Sequence, residues 1–278
     1  MISEYGDKII DSHVHMGIYG PYEIKIEDLA KEMDRSGVAQ AVISDIGLNA
    51  LDEQGIERFP DIDTITLNSR SLEIINEYGD RFLLLFWIRP LFDRNEEQLI
   101  RFLCENRERI GGLKVHPKTA GVPFSSSDYS PYIEICRRQK IPFCIHTQGD
   151  GYCNMEYVYE AAVKNPEVTF VAVHMDLGGD RERAGDFIAR CPNLYGDTTL
   201  VSKEEMRKAI EKCGPEKILF GTDALVFGRD SYGRYDGFYD SVLENFGRAG
   251  AEKVFYKNAR KLFWKEKYEQ QIDLSKKT

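Results

Sequence analysis

The segment Asp11-Ser12-His13-Val14-His15 sets two histidines two positions apart at the end of an apolar stretch that reads as a β-strand. Residues i and i+2 of a strand project to the same face, so the two imidazoles stand side by side. Paired neutral imidazoles are ligands for zinc and its neighbours among the transition metals. A lone His-x-His is a weak signal, since either ring can equally be a core or surface histidine. Here the chain's other three histidines, His116, His146 and His174, also fall where apolar runs end, and Asp223 closes the last strand-like stretch. Core packing accounts for any one of these residues but poorly for all six on strand ends. The expectation is a metal-dependent enzyme.

Strand and helix patterns alternate along the whole chain. Strands are expected over 8–16, 38–46, 82–90, 110–116, 141–147, 168–174, 193–198 and 217–222. Helices are expected over 26–36, 63–78, 95–107, 128–140, 154–164, 181–190 and 202–212, then two closing helices over 237–247 and 251–264 and a charged tail over 265–278. Several ends carry their own signals. Gly37 stops the first helix, Asn95 is a candidate N-cap, and Ser202 with Glu205 has the spacing of a capping box before a Gly214-Pro215 stop. Residues 17–25 begin as a loop with Gly17, Gly20 and Pro21, and 47–63 is long for a strand-to-helix connection. Eight strand–helix units over this length predict a single-domain (β/α)8 TIM barrel, spanning 1–278, with extra C-terminal helices. A doubly wound sheet would carry a Gly-rich phosphate loop after an early strand, where this chain has His-x-His. In a barrel the chemistry sits at the C-terminal ends of the strands, which is where the histidines and Asp223 fall.

Composition narrows the partners. A net charge of −9 over 278 residues excludes the basic stripe of a general nucleic-acid binder. The longest apolar run, 82–88, is far too short to span a bilayer. Six scattered cysteines without a Cys-x-x-Cys pair read as free thiols, and the N-terminal stretch has no basic segment leading into an apolar one. A cytoplasmic protein acting on a small molecule, with neither nucleic-acid nor membrane partner, is expected.

The ordered motifs Asp11-Ser-His13-Val-His15, Gly112-Leu-Lys114-Val-His116-Pro117, Pro142-Phe-Cys-Ile-His146, Val173-His174-Met175, Phe220-Gly221-Thr222-Asp223 and Asn258-Ala-Arg-Lys-Leu-Phe263 resemble the amidohydrolase superfamily. They are similar to its amidohydrolase-related branch, which includes aminocarboxymuconate-semialdehyde decarboxylase. The resemblance implies one divalent metal, zinc first with manganese or iron as alternatives, held by His13, His15, His146 and Asp223. It leaves His174 as an acid/base or electrophilic group, with Asp223 moving a proton. Two-metal members use a carboxylated lysine on strand four, where Lys114 stands. The Lys114-x-His116-Pro117 pattern fits the one-metal branch better, with Lys114 as a cation for a substrate carboxylate and His116 as a hydrogen-bonding partner. Asp11 is expected to be structural. The resemblance also allows pairing into a homodimer.

Trp87, Arg89, Lys118, Gln148, Asp176 and Thr198 fall on the same rim, with Arg229 in the loop after strand eight. Trp87 and Arg89 are expected to contact substrate. Arg89, Lys114, Lys118 and Arg229 could form a positive mouth that grips a carboxylate, although for each cation alone the first expectation is pairing with Asp45, Asp176 or Asp230. The leading expectation is hydrolysis of an amide, ester or lactone by metal-activated water. The alternative is nonoxidative decarboxylation of a small unsaturated or aromatic acid. A non-catalytic metal-binding barrel stands behind both.

Overall fold

Eleven residues from Ile9 to Tyr19 form β1, which turns back on Tyr22–Ile24 (β2) as an antiparallel hairpin. This computed structural model describes residues 8–52, 54–93, 96–228 and 230–264. The expected Asn95 cap, Arg229 and the tail over 265–278 lie outside the described residues.

After the hairpin come α1 (Ile26–Ser36), β3 (Val38–Asp45), α2 (Thr64–Asn76), β4 (Phe82–Trp87), α3 (Glu96–Glu105) and β5 (Ile110–Val115). A short α4 (Pro117–Ala120) and α5 (Ser130–Gln139) lead to β6 (Phe143–Gln148), α6 (Met155–Lys164), β7 (Phe170–Leu177) and α7 (Arg181–Arg190). The chain ends with β8 (Leu194–Asp197), α8 (Lys203–Cys213), β9 (Ile218–Leu219), α9 (Phe238–Glu252), a π-helical turn over Lys253–Lys257 and α10 (Asn258–Phe263). The sheet order is β2-β1-β3-β4-β5-β6-β7-β8-β9, with every pair after the hairpin parallel. Beyond β9 the extended chain closes onto β1. The Ser12 amide donates to the Phe220 carbonyl at 2.8 Å, the Asp223 amide to the His13 carbonyl at 2.9 Å, and Val14 bridges Ala224. The result is the expected (β/α)8 barrel.

Local sequence explains most boundaries. In α1, Ile26, Leu29, Ala30 and Met33 form the buried stripe of an amphipathic helix, and Gly37 at φ 72° ends it in the left-handed conformation that a Cβ disfavours. The Ser202–Glu205 capping box forms at α8. The barrel interior is lined by alternate residues, among them Ile10, Val42, Leu83, Leu85, Cys144, Val171, Val173 and Leu219. Leu262 and Phe263 of α10, with Trp264, pack against them and plug one end. The intervening residues, such as Val14, Ile43, Leu84, Phe86, Leu113, Ile145, Phe170 and Ala172, face the helices. β4 and β5 are buried along their whole length on both sides, as central parallel strands are.

One departure from the expected pattern is the β1–β2 hairpin. The strand continues beyond Met16 and pairs with Tyr22–Ile24, where a loop was expected. Where β5 meets β6, a Cβ on Gly112 would sit 2.5 Å from the Pro142 carbonyl oxygen. That oxygen is pinned by the Leu113 amide at 3.0 Å. Gly112→Ala is therefore expected to cost about 1–3 kcal/mol, the range for overpacking a tight interior. Urea unfolding of the two proteins measures it.

Candidate functional site

Strict alternation from Ile10 would send His13 and His15 outward with the helix-facing residues. The β1–β3 register slips between Asp11 and Val14, so that three residues of β1 span two of β3. A slip of one residue exchanges the faces of a strand. Val14 and Met16 consequently pack in the outer core and both histidines turn in. Their Nε2 atoms lie 3.0 Å apart. Asp223, on the closing segment with φ 59°, brings Oδ1 to 3.3 Å from His13 Nε2 and 3.2 Å from His15 Nε2.

The far side of each ring is held. His13 Nδ1 lies 3.2 Å from Thr199 Oγ1 and 3.2 Å from Asp197 Oδ2. His15 Nδ1 faces the Ser44 carbonyl at 3.3 Å and Ser44 Oγ at 3.0 Å. The Ser44 carbonyl and the Asp197 carboxylate beside the two Nδ1 atoms favour the tautomer protonated there, which turns the Nε2 lone pairs toward Asp223. Burial pushes the His13 pKa down to about 3, and Lys114 adds to the shift, so the ring is neutral. Burial works to raise the Asp223 carboxyl, but His13, His174 and His15 outweigh it and hold it well below the usual carboxylate range. Asp223 Oδ1 is buried without a hydrogen-bond partner. Two imidazole lone pairs and an orphaned carboxylate oxygen aimed at one point form a donor set that fits a divalent cation.

The remaining expected residues surround this trio unequally. His174 Nε2 is 4.0 Å from Asp223 Oδ2. His174, Met175 and Asp176 all have positive φ, a strained run held by the Asp197 carboxylate on the His174 amide at 2.9 Å and by Arg181 on the His174 and Leu200 carbonyls. Lys114 is buried with Nζ 3.2 Å from His13 Nε2, and burial lowers its pKa. Trp87 is buried beside His15, its ring 6.3 Å away, in an apolar cluster with Ile24, Ile46, Leu48 and Leu67. His146 is not within the trio. Its ring stacks on His116 at 3.8 Å and meets His174 edge-on at 4.5 Å. Asp11 accepts from the His13 amide, Thr222 Oγ1 and the Tyr232 hydroxyl, yet burial still pushes it up to about 7. It ties β1 to the segment that follows β9, in keeping with the structural role expected for it.

Arg89 departs from expectation. Its guanidinium is buried, donates to Glu57 Oε1 at 2.7 Å and to the Ile62 carbonyl at 3.0 Å, and lies over the rings of Phe59 and Phe92. It clamps the long 47–63 connection instead of standing free for a ligand. Arg89→Ala is expected to cost about 3 kcal/mol, the lower end for breaking a buried ion pair because Glu57 keeps some water. Denaturant unfolding gives the stability, and the same variant should leave KM for an acidic substrate within about threefold, since the grip described for bidentate arginine is not on offer here. Asp197, whose carboxylate holds the His174 and Thr199 amides and faces His13, is the site-shaping residue that sequence reasoning overlooks. Its place at the end of β8 was the available signal, by the rule that selected its neighbour Thr198.

A (β/α)8 barrel with a carboxylate–imidazole donor set at the C-terminal ends of its strands has the layout of a metal-site barrel. The chain belongs to the amidohydrolase family, whose model matches residues 10–264. No match is found among curated protein sequences. Among solved structures, 2,6-dihydroxybenzoate decarboxylase from Rhizobium is similar at 17% identity and a TM-score of 0.68, covering 93% of this chain and 99% of that one. Dihydroxybenzoic acid decarboxylase from Polaromonas sp. JS666, with bound manganese and the inhibitor 2-nitroresorcinol, matches at 14% identity and 0.70, covering 93% and 97%. A probable 2-pyrone-4,6-dicarboxylic acid hydrolase from Acinetobacter baumannii, with citric acid bound, matches at 13% identity and 0.64, covering 92% and 99%. At these identities the likeness is one of fold. No helix among the described residues is long and apolar enough to cross a membrane.

Proposed function

We propose that this protein is a metal-dependent carboxy-lyase that removes carbon dioxide from a small aromatic or unsaturated acid. The observation that carries the proposal is the His13–His15–Asp223 donor set with His174 Nε2 beside its second carboxylate oxygen. The decarboxylases from Rhizobium and Polaromonas, built on the same barrel, support lyase chemistry over the hydrolysis first expected. In this proposal His13, His15 and Asp223 bind one divalent ion, zinc, manganese or iron, with His146 as the fourth donor once its ring leaves the stack on His116. Such an ion supplies Lewis acidity toward a substrate oxygen.

The chain's own groups do the rest. His174 Nδ1 faces the Thr199 carbonyl at 3.3 Å, which leaves Nε2 to take up a proton beside the Asp223 carboxylate. When the bond to the substrate carboxyl group breaks, the electron pair stays on carbon, the proton from His174 Nε2 fills that position, and carbon dioxide leaves. Lys114 is the cation for the substrate carboxylate and His116 a hydrogen-bonding partner. Trp87 with Ile46 and Leu48 forms an apolar wall against which a planar ring packs.

The test is turnover of a panel of hydroxybenzoic acids by the metal-loaded protein in D2O. The expected result is carbon dioxide release with one deuteron at the vacated carbon. The likeness to the pyrone dicarboxylic acid hydrolase favours a second reading, hydrolysis at the same centre. Incorporation of 18O from labelled water into product, without carbon dioxide, would replace the lyase with that reading.

A further inference from the structure

A second set of donors lies next to the first. His116 at the end of β5, His146 on β6 and Cys153 in the following loop each offer one ligand atom, all within 4.8 Å of one another. The loop is built to bring the thiol back over the strand. The Gln148 amide donates to the Cys153 carbonyl at 3.0 Å, and Asp150 Oδ1 accepts from the amides of Tyr152 and Cys153 at 2.9 and 2.7 Å. Cys153 is fully buried, and Asp150 Oδ2 is buried with no hydrogen-bond partner. Donors around a tetrahedral zinc stand roughly 3.3–3.6 Å apart, given metal–nitrogen and metal–sulfur lengths near 2.05 and 2.3 Å. The two rings lie 17° from parallel, so binding an ion requires them to turn out of the stack until their lone pairs meet at one point.

We propose that His116, His146 and Cys153 form a second metal site, selective for a thiophilic divalent ion such as zinc or cadmium, whose occupation holds His146 away from the catalytic centre. Binding replaces the thiol proton with the metal–sulfur bond and releases that proton to solvent. Selectivity follows from the donors: sulfur with two imidazoles favours zinc and cadmium, while manganese prefers oxygen-rich sites. Asp150, whose Oδ1 holds the Cys153 amide and whose Oδ2 has no hydrogen-bond partner, is the carboxylate this loop offers to complete the set. The withdrawal of His146 rests on the ligand set proposed above; the binding of the second ion does not.

The experiment starts from protein carrying one equivalent of Mn2+ and titrates it with Cd2+. Cadmium–thiolate charge-transfer absorption in the near ultraviolet is expected to rise and saturate at one equivalent. It should vanish in Cys153→Ser, a near-isosteric change whose fold is checked by circular dichroism, and in His116→Ala. With the second site filled, retention of Mn2+ on dialysis should weaken by about tenfold or more, the scale of losing a supporting group at a metal. Cys153→Ser should keep its Mn2+ at the same Cd2+ concentration. Absence of the absorption in the parent protein, or its persistence in Cys153→Ser, overturns the second site. Absorption that saturates while Mn2+ retention stays unchanged overturns the withdrawal of His146. Neither readout requires turnover, so a failed lyase assay leaves both intact.

Discussion

Asp223→Asn is expected to strip the catalytic ion and to lower kcat/KM by more than about a hundredfold, because even groups that only support metal ligands are worth 10–100-fold. The carboxylate is the single negative charge among the three groups that converge, and its Oδ1 has no other partner. An amide there keeps the shape and removes the charge. Its other oxygen also faces His174 Nε2, so the substitution withdraws the partner that would steady a protonated imidazole. Metal content after dialysis and steady-state rates read the two effects separately. Retention of a full equivalent of metal by Asp223→Asn would remove this residue from the ligand set.

Asp197 yields the second large effect, and two substitutions divide it. One oxygen accepts from the His174 and Thr199 amides at 2.9 and 3.1 Å, and the other faces His13 Nδ1 at 3.2 Å. Asp197→Ala leaves both buried amides without an acceptor and is expected to cost about 2–4 kcal/mol. Asp197→Asn keeps an oxygen for those amides but can turn an NH2 toward His13. Nδ1 then becomes the acceptor, the ring proton moves to Nε2, and the lone pair that would meet the metal is lost, the tautomer error known from Asp→Asn changes beside catalytic histidines. Asp197→Asn should therefore hold stability within about 1 kcal/mol while weakening metal binding at least tenfold. Calorimetric metal titration alongside urea unfolding checks the split. Parallel losses in both measurements would make Asp197 merely structural.

The parts of this architecture that are local in sequence were legible. The stripe and glycine stop of α1, the capping box of α8 and the bounds of α7 are written within a dozen residues of chain. His-x-His was visible, but the slip between Asp11 and Val14 that turns it inward depends on pairing with β3. Arg89 was misread because its partner Glu57 is 32 positions away, and no pattern announces such a pair. The hairpin strand Tyr22–Ile24 is only three residues long, too short to show a period. Asp197 acts through backbone amides of a left-handed turn, which side-chain chemistry does not reveal. His146 sits on the strand where it was sought, while the direction of its ring is set by a stack with His116.

The seam of the barrel runs through the candidate site. Ser12 and Phe220 are joined across 208 positions of sequence, and the His13 carbonyl takes the amide of Asp223. During synthesis the two histidines emerge early and their carboxylate partner only near the end. No partial chain can assemble the donor set, so under the proposed function a cation would be acquired late, after the last strand has docked. Bound there, it would rivet His13 and His15 to Asp223, and prising the ring open would mean ejecting it first.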